Sequence, residues 1–118
     1  MRGVGVPFFV EYDTGGEQLS VLTGKLLGYR HWFVALGRVW PVLFWLHSAA
    51  RERNLRRLLA EMSPLVPVAT GARDHAATVG LCPAQAVWAV PGGDGQRSTL
   101  ADLAVWVADA RDLNGEAA

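Results

Sequence analysis

Four charged side chains near the start of the chain have the types and spacing that phosphodiester chemistry requires: Glu11, Asp13, Glu17 and Lys25. Carboxylates suit Mg²⁺, a hard cation that takes oxygen ligands and keeps several of its waters. An ammonium group beside such a metal can orient a water molecule or stabilise a phosphate. We therefore take Glu11 and Asp13 as candidate metal ligands, Lys25 as the phosphate or water partner, and Glu17 as an outer or alternative ligand.

Two predicted elements position these side chains. The apolar and aromatic run from Pro7 to Asp13 predicts a buried strand, and leucine and aromatic residues recur at helical spacing from about Gly16 to about Leu36. Because side chains alternate along a strand, Glu11 and Asp13 point to the same face. The helix begins close to the end of the strand, and its long side chains lean toward its N-terminus. We therefore expect Lys25 to bring its ammonium group back to the end of the strand.

The same residues also have an ordinary structural interpretation. Thr14 followed three residues later by Glu17 matches a capping box, in which two side chains satisfy the first N–H groups of a helix. Asp13 then simply precedes a helix cap, and Lys25 is a solvated surface residue. The spacing of these residues leaves both interpretations open.

A basic helix is the second candidate for function. Ser48 predicts its N-cap, Pro64 ends it, and leucines form a buried stripe between them. Its arginines can hold a DNA backbone without reading the base sequence. A solvated outer face, partly balanced by Glu52 and Glu61, is the structural alternative. The candidate contacts to the DNA backbone are Arg51, Arg53, Arg56 and Arg57.

Further apolar runs complete a predicted α/β fold. Strands are expected at Val39 to Leu46, Val66 to Thr70 and Ala86 to Val90, and a last helix from Ser98 or Thr99 to about Ala110. Alternation of strands with amphipathic helices predicts a mixed, mainly parallel sheet of about four strands flanked by helices. We expect one domain over residues 1–118, with flexible ends at 1–6 and 114–118.

Composition narrows the class of protein. The chain has 118 residues, 51% of them hydrophobic and 19% charged, which is typical of a globular domain. Eleven basic and eleven acidic residues cancel, so binding to DNA would have to depend on a local patch. The single Cys82 excludes an internal disulfide. No apolar segment reaches the length of a membrane span, and we expect a soluble, cytoplasmic protein without a membrane partner.

Longer stretches of the chain resemble a known family. FFVEYDTGGEQLSVLTGKLLGY, from Phe8 to Tyr29, is similar to the signature of the replication-relaxation family of actinobacterial and plasmid proteins. WPVLFWLHSAARERNLRRLLA, from Trp40 to Ala60, resembles the next strand and arginine-rich helix of that family. The segments VPVAT, Val87-Trp88 and Leu100 to Leu103 continue the resemblance, which covers nearly the whole chain.

This resemblance implies a restriction-endonuclease-like domain that serves plasmid replication or DNA relaxation. Glu11 would take the acidic position of the (Asp/Glu)-x-Lys motif, and Asp13 stands where that motif has lysine, so Lys25 would supply the ammonium group from the helix. The family's Pro-Asp strand, with the other metal carboxylate, and its winged-helix DNA-binding region would both precede Met1. We therefore expect a truncated version of the family.

Three hypotheses follow from the sequence. The first is a DNA-associated protein that nicks or cleaves DNA with Mg²⁺ at Glu11 and Asp13. The second is a catalytically inactive remnant that binds DNA or a partner protein through the arginine helix or an open sheet edge. The third is that the first strand has an open edge and pairs with another copy or with a neighbouring chain.

Overall fold

The computed structural model of the protein describes residues 8–62, 66–91 and 96–103. The predicted flexible ends, and most of the predicted last helix, lie outside these residues. Within these described ranges six named elements alternate, and the observed α/β class agrees with the prediction. They are β1 (Phe9–Tyr12), α1 (Leu19–Leu36), β2 (Val42–Leu46), α2 (Ala49–Met62), β3 (Val68–Ala72) and α3 (Arg73–Val79).

The three strands form one parallel sheet in the order β1-β2-β3. Helices α1 and α2 pack on one face of this sheet, where Leu22 and Leu55 meet Phe44. Helix α3 packs on the other face, where Ala76 joins a core with Leu43 and Trp88. The central strand β2 is almost continuously apolar because both of its faces are covered.

Alternation along β1 determines which side chains reach α1. Phe9 packs against the aromatic rings of α1, with its ring centroid 5.1 Å from that of Tyr29, whereas Val10 contacts the opposite core. Glu11 therefore faces α1, and Asp13, two residues later, faces the same side of the sheet. The prediction that these two carboxylates share a face is confirmed by their contacts with α1 and α2.

The capping box predicted at Thr14 and Glu17 is wrong. Helix α1 begins at Leu19, its N-cap is Gln18, and no side chain caps it. Instead, the Gly15 N–H donates to the Asp13 carboxylate at 3.2 Å, and Gly15 has a φ of 93°. This turn favours glycine and diverts the chain before the helix begins. The predicted cap at Ser48 is confirmed, since its hydroxyl accepts the Arg51 N–H at 3.2 Å.

The described residues contain three strands rather than the predicted four. Ala89 pairs antiparallel with Thr70 through two hydrogen bonds of 2.8 Å, but its neighbour Trp88 pairs with Ser98. Successive residues thus pair with different segments, and no ladder forms. The predicted third strand begins two residues later, at Val68, and α3, which was not predicted from the sequence, follows it directly. None of the helices in the described ranges combines the length and hydropathy that crossing a membrane requires.

Candidate functional site

Glu11 is the centre of a polar cluster between β1 and α1. Lys25 Nζ lies 3.3 Å from Glu11 Oε2 and 3.4 Å from Glu17 Oε1. The Tyr29 hydroxyl donates to Glu11 Oε1 at 2.5 Å. Lys25 and Tyr29 are four residues apart on α1 and so present their side chains on one face toward the strand. The sequence predicted that Glu11, Glu17 and Lys25 converge. It counted Tyr29 only among the aromatic residues at helical spacing, and the role of its hydroxyl was missed.

Electrostatics keep both donors to Glu11 protonated. The hydrogen bond to Glu11, and the charges of Glu11 and Glu17, raise the pKa of Lys25 above its usual 10.5, although burial lowers it. Burial, followed by the hydrogen bond and the charge of Glu11, raises the pKa of Tyr29 well above its usual 10.0. At neutral pH the Glu11 carboxylate therefore accepts one cationic and one neutral hydrogen bond.

Asp13 has a different partner from Glu11. Its side chain is 1% exposed, and the Arg51 guanidinium donates to both carboxylate oxygens, with Nη2 2.9 Å from Oδ1. Burial raises the pKa of Asp13, but the hydrogen bonds from Arg51 and Gly15 and the charge of Arg51 hold it below its usual 3.8. Arg51 also donates to the Glu17 carbonyl. Asp13 therefore joins the end of β1 to the start of α2.

The donor set around the two predicted metal ligands does not match a Mg²⁺ site as it stands. Within residues 8–62, 66–91 and 96–103, no group of three or more His, Cys, Asp or Glu side chains converges to hold a metal. A cation shared by Glu11 and Asp13 would compete with Arg51 for the Asp13 oxygens and with Lys25 for Glu11. These carboxylates are therefore occupied by protein cations, and Mg²⁺ binding stays a prediction.

The four arginines of α2 have different surroundings. Arg51 is bound to Asp13, whereas Arg53 and Arg57 are exposed and form no ion pair with any described residue. Arg56 is half-buried, and its Nε has no hydrogen-bond partner among the described residues. Positions three and four apart are neighbours on a helix surface. Arg53, Arg56 and Arg57 therefore form one basic surface, which we call the α2 arginine patch.

Sequence reasoning missed a second buried ion pair. Glu52, expected to balance the arginines at the surface, has a side chain only 1% exposed. Its oxygens accept hydrogen bonds from Arg97 at 2.7 Å and from the Thr70 hydroxyl at 2.8 Å. Arg97 also donates to the Val87 carbonyl at 2.7 Å. Glu52 therefore joins α2, β3 and the segment around Arg97, and its role is structural.

Comparison with protein-family models, curated proteins and solved structures gives no match to this chain. The resemblance of the sequence to the replication-relaxation family therefore stays a prediction. The described geometry defines an α/β domain whose acidic strand end is bound by cations from two helices.

Proposed function

We propose that this chain is a DNA-associated protein of the replication-relaxation type, acting in plasmid replication or DNA relaxation. The contact between Glu11 and Lys25 is the observation that carries this proposal. The family motif has a lysine whose ammonium group lies beside the acidic residue of the strand. In this chain Asp13 stands at the position of that lysine. Lys25 supplies an ammonium group from α1, with Nζ 3.3 Å from Glu11 Oε2. This contact supports the proposal that Lys25 replaces the lysine of the motif.

The α2 arginine patch supplies the second support. Phosphate contacts from arginine give affinity for DNA without selecting a base sequence. Arg53 and Arg57 are exposed and without an ion pair among the described residues, so their charges can meet phosphates without first giving up a partner. Arg51 is bound to Asp13, and we leave it out of the proposed contact surface.

Two modes of action are compatible with association with DNA. A nuclease-like site at Glu11, with Lys25 beside the scissile phosphate and Glu17 nearby, is favoured by their convergence. A catalytically inactive interaction domain is favoured by the Asp13–Arg51 pair, which occupies the second predicted metal ligand. The geometry therefore favours the inactive domain unless a cation displaces Arg51.

Supercoiled plasmid provides the experiment that separates these modes. The full chain is incubated with plasmid and with Mg²⁺ or Mn²⁺, beside the Glu11→Gln and Lys25→Ala variants. Arg38→Gln is the control, since Arg38 is exposed and belongs neither to the Glu11 cluster nor to the α2 arginine patch. Nicking that both variants lose and the control keeps supports the nuclease-like site. Binding of the plasmid without nicking supports the interaction domain. If the chain neither nicks nor binds the plasmid, association with DNA is contradicted.

A further inference from the structure

A hollow of about 370 Å³ lies outside the carboxyl ends of β1 and β2. It is separate from the Glu11 cluster, because Tyr12 and Trp45, which line it, point to the face of the sheet opposite α1. The volume lies near the lower end of the range for small-molecule sites. We call this feature the carboxyl-edge hollow.

Two aromatic side chains from neighbouring strands line the hollow. Tyr12 and Trp45 are register partners across β1 and β2. Tyr12 is 74% exposed, which is unusual for an aromatic residue within a strand. Trp45, in contrast, is held in place by Trp88, at 5.3 Å between ring centroids, and by its close approach to Gly71. A fixed ring beside an exposed one provides a surface on which a planar group can stack.

The charges around the hollow favour an anionic ligand. Arg73 lines it, as does His47, and neither forms an ion pair with a described residue. The Asp13 carboxylate also lines the hollow, but its charge is already neutralised by Arg51. Asp74 directs its carboxylate to the Ala49 N–H at 2.8 Å. Arg73 is thus the charge at this hollow that remains available to a ligand.

We propose that the carboxyl-edge hollow binds one nucleotide unit, with its base stacked on Tyr12 and Trp45 and its phosphate held by Arg73. Stacking on aromatic rings combined with phosphate contacts is the mode by which proteins bind single-stranded nucleic acid. The proposal rests on the proposed function for its ligand source, since a DNA-associated protein meets such units in exposed single strands. A free nucleotide has the same chemistry, and the experiment tells the two sources apart.

Fluorescence polarisation of a labelled twelve-residue oligothymidylate tests single-strand binding, and fluorescently labelled adenosine monophosphate, titrated separately, tests free nucleotides. We expect Tyr12→Ala to weaken oligonucleotide binding about tenfold, because stacking of one base is lost. Tyr12→Phe keeps the ring and should bind within about twofold of the unmodified chain. Arg73→Gln should also weaken binding, and Arg30→Gln, an exposed arginine on α1, is the matched control.

The outcomes separate this inference from the proposed function. Binding of the oligonucleotide that Tyr12→Ala and Arg73→Gln leave unchanged would overturn the inference, even if duplex DNA still binds. Binding of the labelled adenosine monophosphate that both variants weaken, with no binding of any DNA, would support the hollow as a nucleotide site and contradict the proposed function. No binding of either probe would overturn the inference.

Discussion

Lys25 reaches back along α1 to contact Glu11, fourteen positions earlier in the chain, with 3.3 Å between Nζ and Oε2. Because the Tyr29 hydroxyl donates to the other oxygen of the same carboxylate, Glu11 is held from two successive turns of one helix. This arrangement fixes the end of β1 against α1 and positions the cluster on which the proposed function depends.

Removing the Tyr29 hydroxyl should weaken this attachment. We expect Tyr29→Phe to lower the free energy of unfolding by about 1 to 2 kcal/mol, because a partly buried hydrogen bond to a charged group is lost while the ring packing stays. Urea unfolding monitored by circular dichroism measures the change. Tyr12→Phe is the control, since Tyr12 is exposed, and an equal effect of the two substitutions would contradict the account.

The pair of Asp13 with Arg51 should make stability depend on pH in the acid range. The pKa of Asp13 in the folded protein is below its usual 3.8, so its contribution is fully present above that value and is lost as pH falls through the folded pKa. We expect Asp13→Asn to cost about 2 kcal/mol at pH 7 and progressively less below about pH 4. Urea unfolding of both proteins across this range measures the difference, and a cost that stays constant or grows in acid would be contrary evidence.

The buried pair of Glu52 and Arg97 should respond differently to single and double substitution. Glu52→Gln leaves the Arg97 guanidinium without its counterion and should cost about 3 to 5 kcal/mol. Arg97→Met in the same chain should restore part of that loss. Chemical unfolding of the two single variants and the double variant measures the coupling. Additive losses would show that the pair is not coupled; Glu61→Gln, at an exposed position, is the control.

Two glycines should give opposite effects when replaced by alanine. A Cβ at Gly71 would lie 2.8 Å from Trp45 Cζ3, so Gly71→Ala forces the indole to move and should cost about 1 to 3 kcal/mol. At Gly24, within α1, such a Cβ would have no described atom within 4 Å apart from those of its chain neighbours and of the helix's own backbone. Gly24→Ala should therefore stabilise the protein by about 1 kcal/mol. Thermal unfolding of both variants tests the pair, and a stabilising Gly71→Ala would contradict the packing described for Trp45.

Local patterns predicted the geometry around Glu11 better than the partners of the other acidic residues. Alternation along β1 and the helical period of α1 were sufficient to place Glu11 and Lys25 together. Asp13 and Glu52 instead bind arginines 38 and 45 positions away, and eleven basic residues offered many alternative partners. Which pair forms depends on how α2 packs against the sheet, and no periodicity in the sequence carries that information.

The fold, like the site, was predictable only in part. The central strand β2 and the helices on either side of it in the chain follow from apolar runs and leucine spacing. A mixed, mainly parallel sheet was expected, and the three described strands are all parallel. The predicted fourth strand is not observed among the described residues, because Trp88 and Ala89 have the composition of a strand but pair with different segments. Helix α3 spans only seven residues, too few to give a clear period in the sequence.

The salt dependence of binding to duplex DNA tests the proposed association with DNA most directly. Each phosphate contact contributes about 0.9 to the slope of log K against log salt concentration. We predict that Arg53→Gln combined with Arg57→Gln lowers the magnitude of that slope by about two. Arg30→Gln combined with Arg38→Gln removes the same charge from exposed positions elsewhere and should leave the slope unchanged. Equal slopes for both double variants, or no salt-dependent binding by the unmodified chain, would contradict the account.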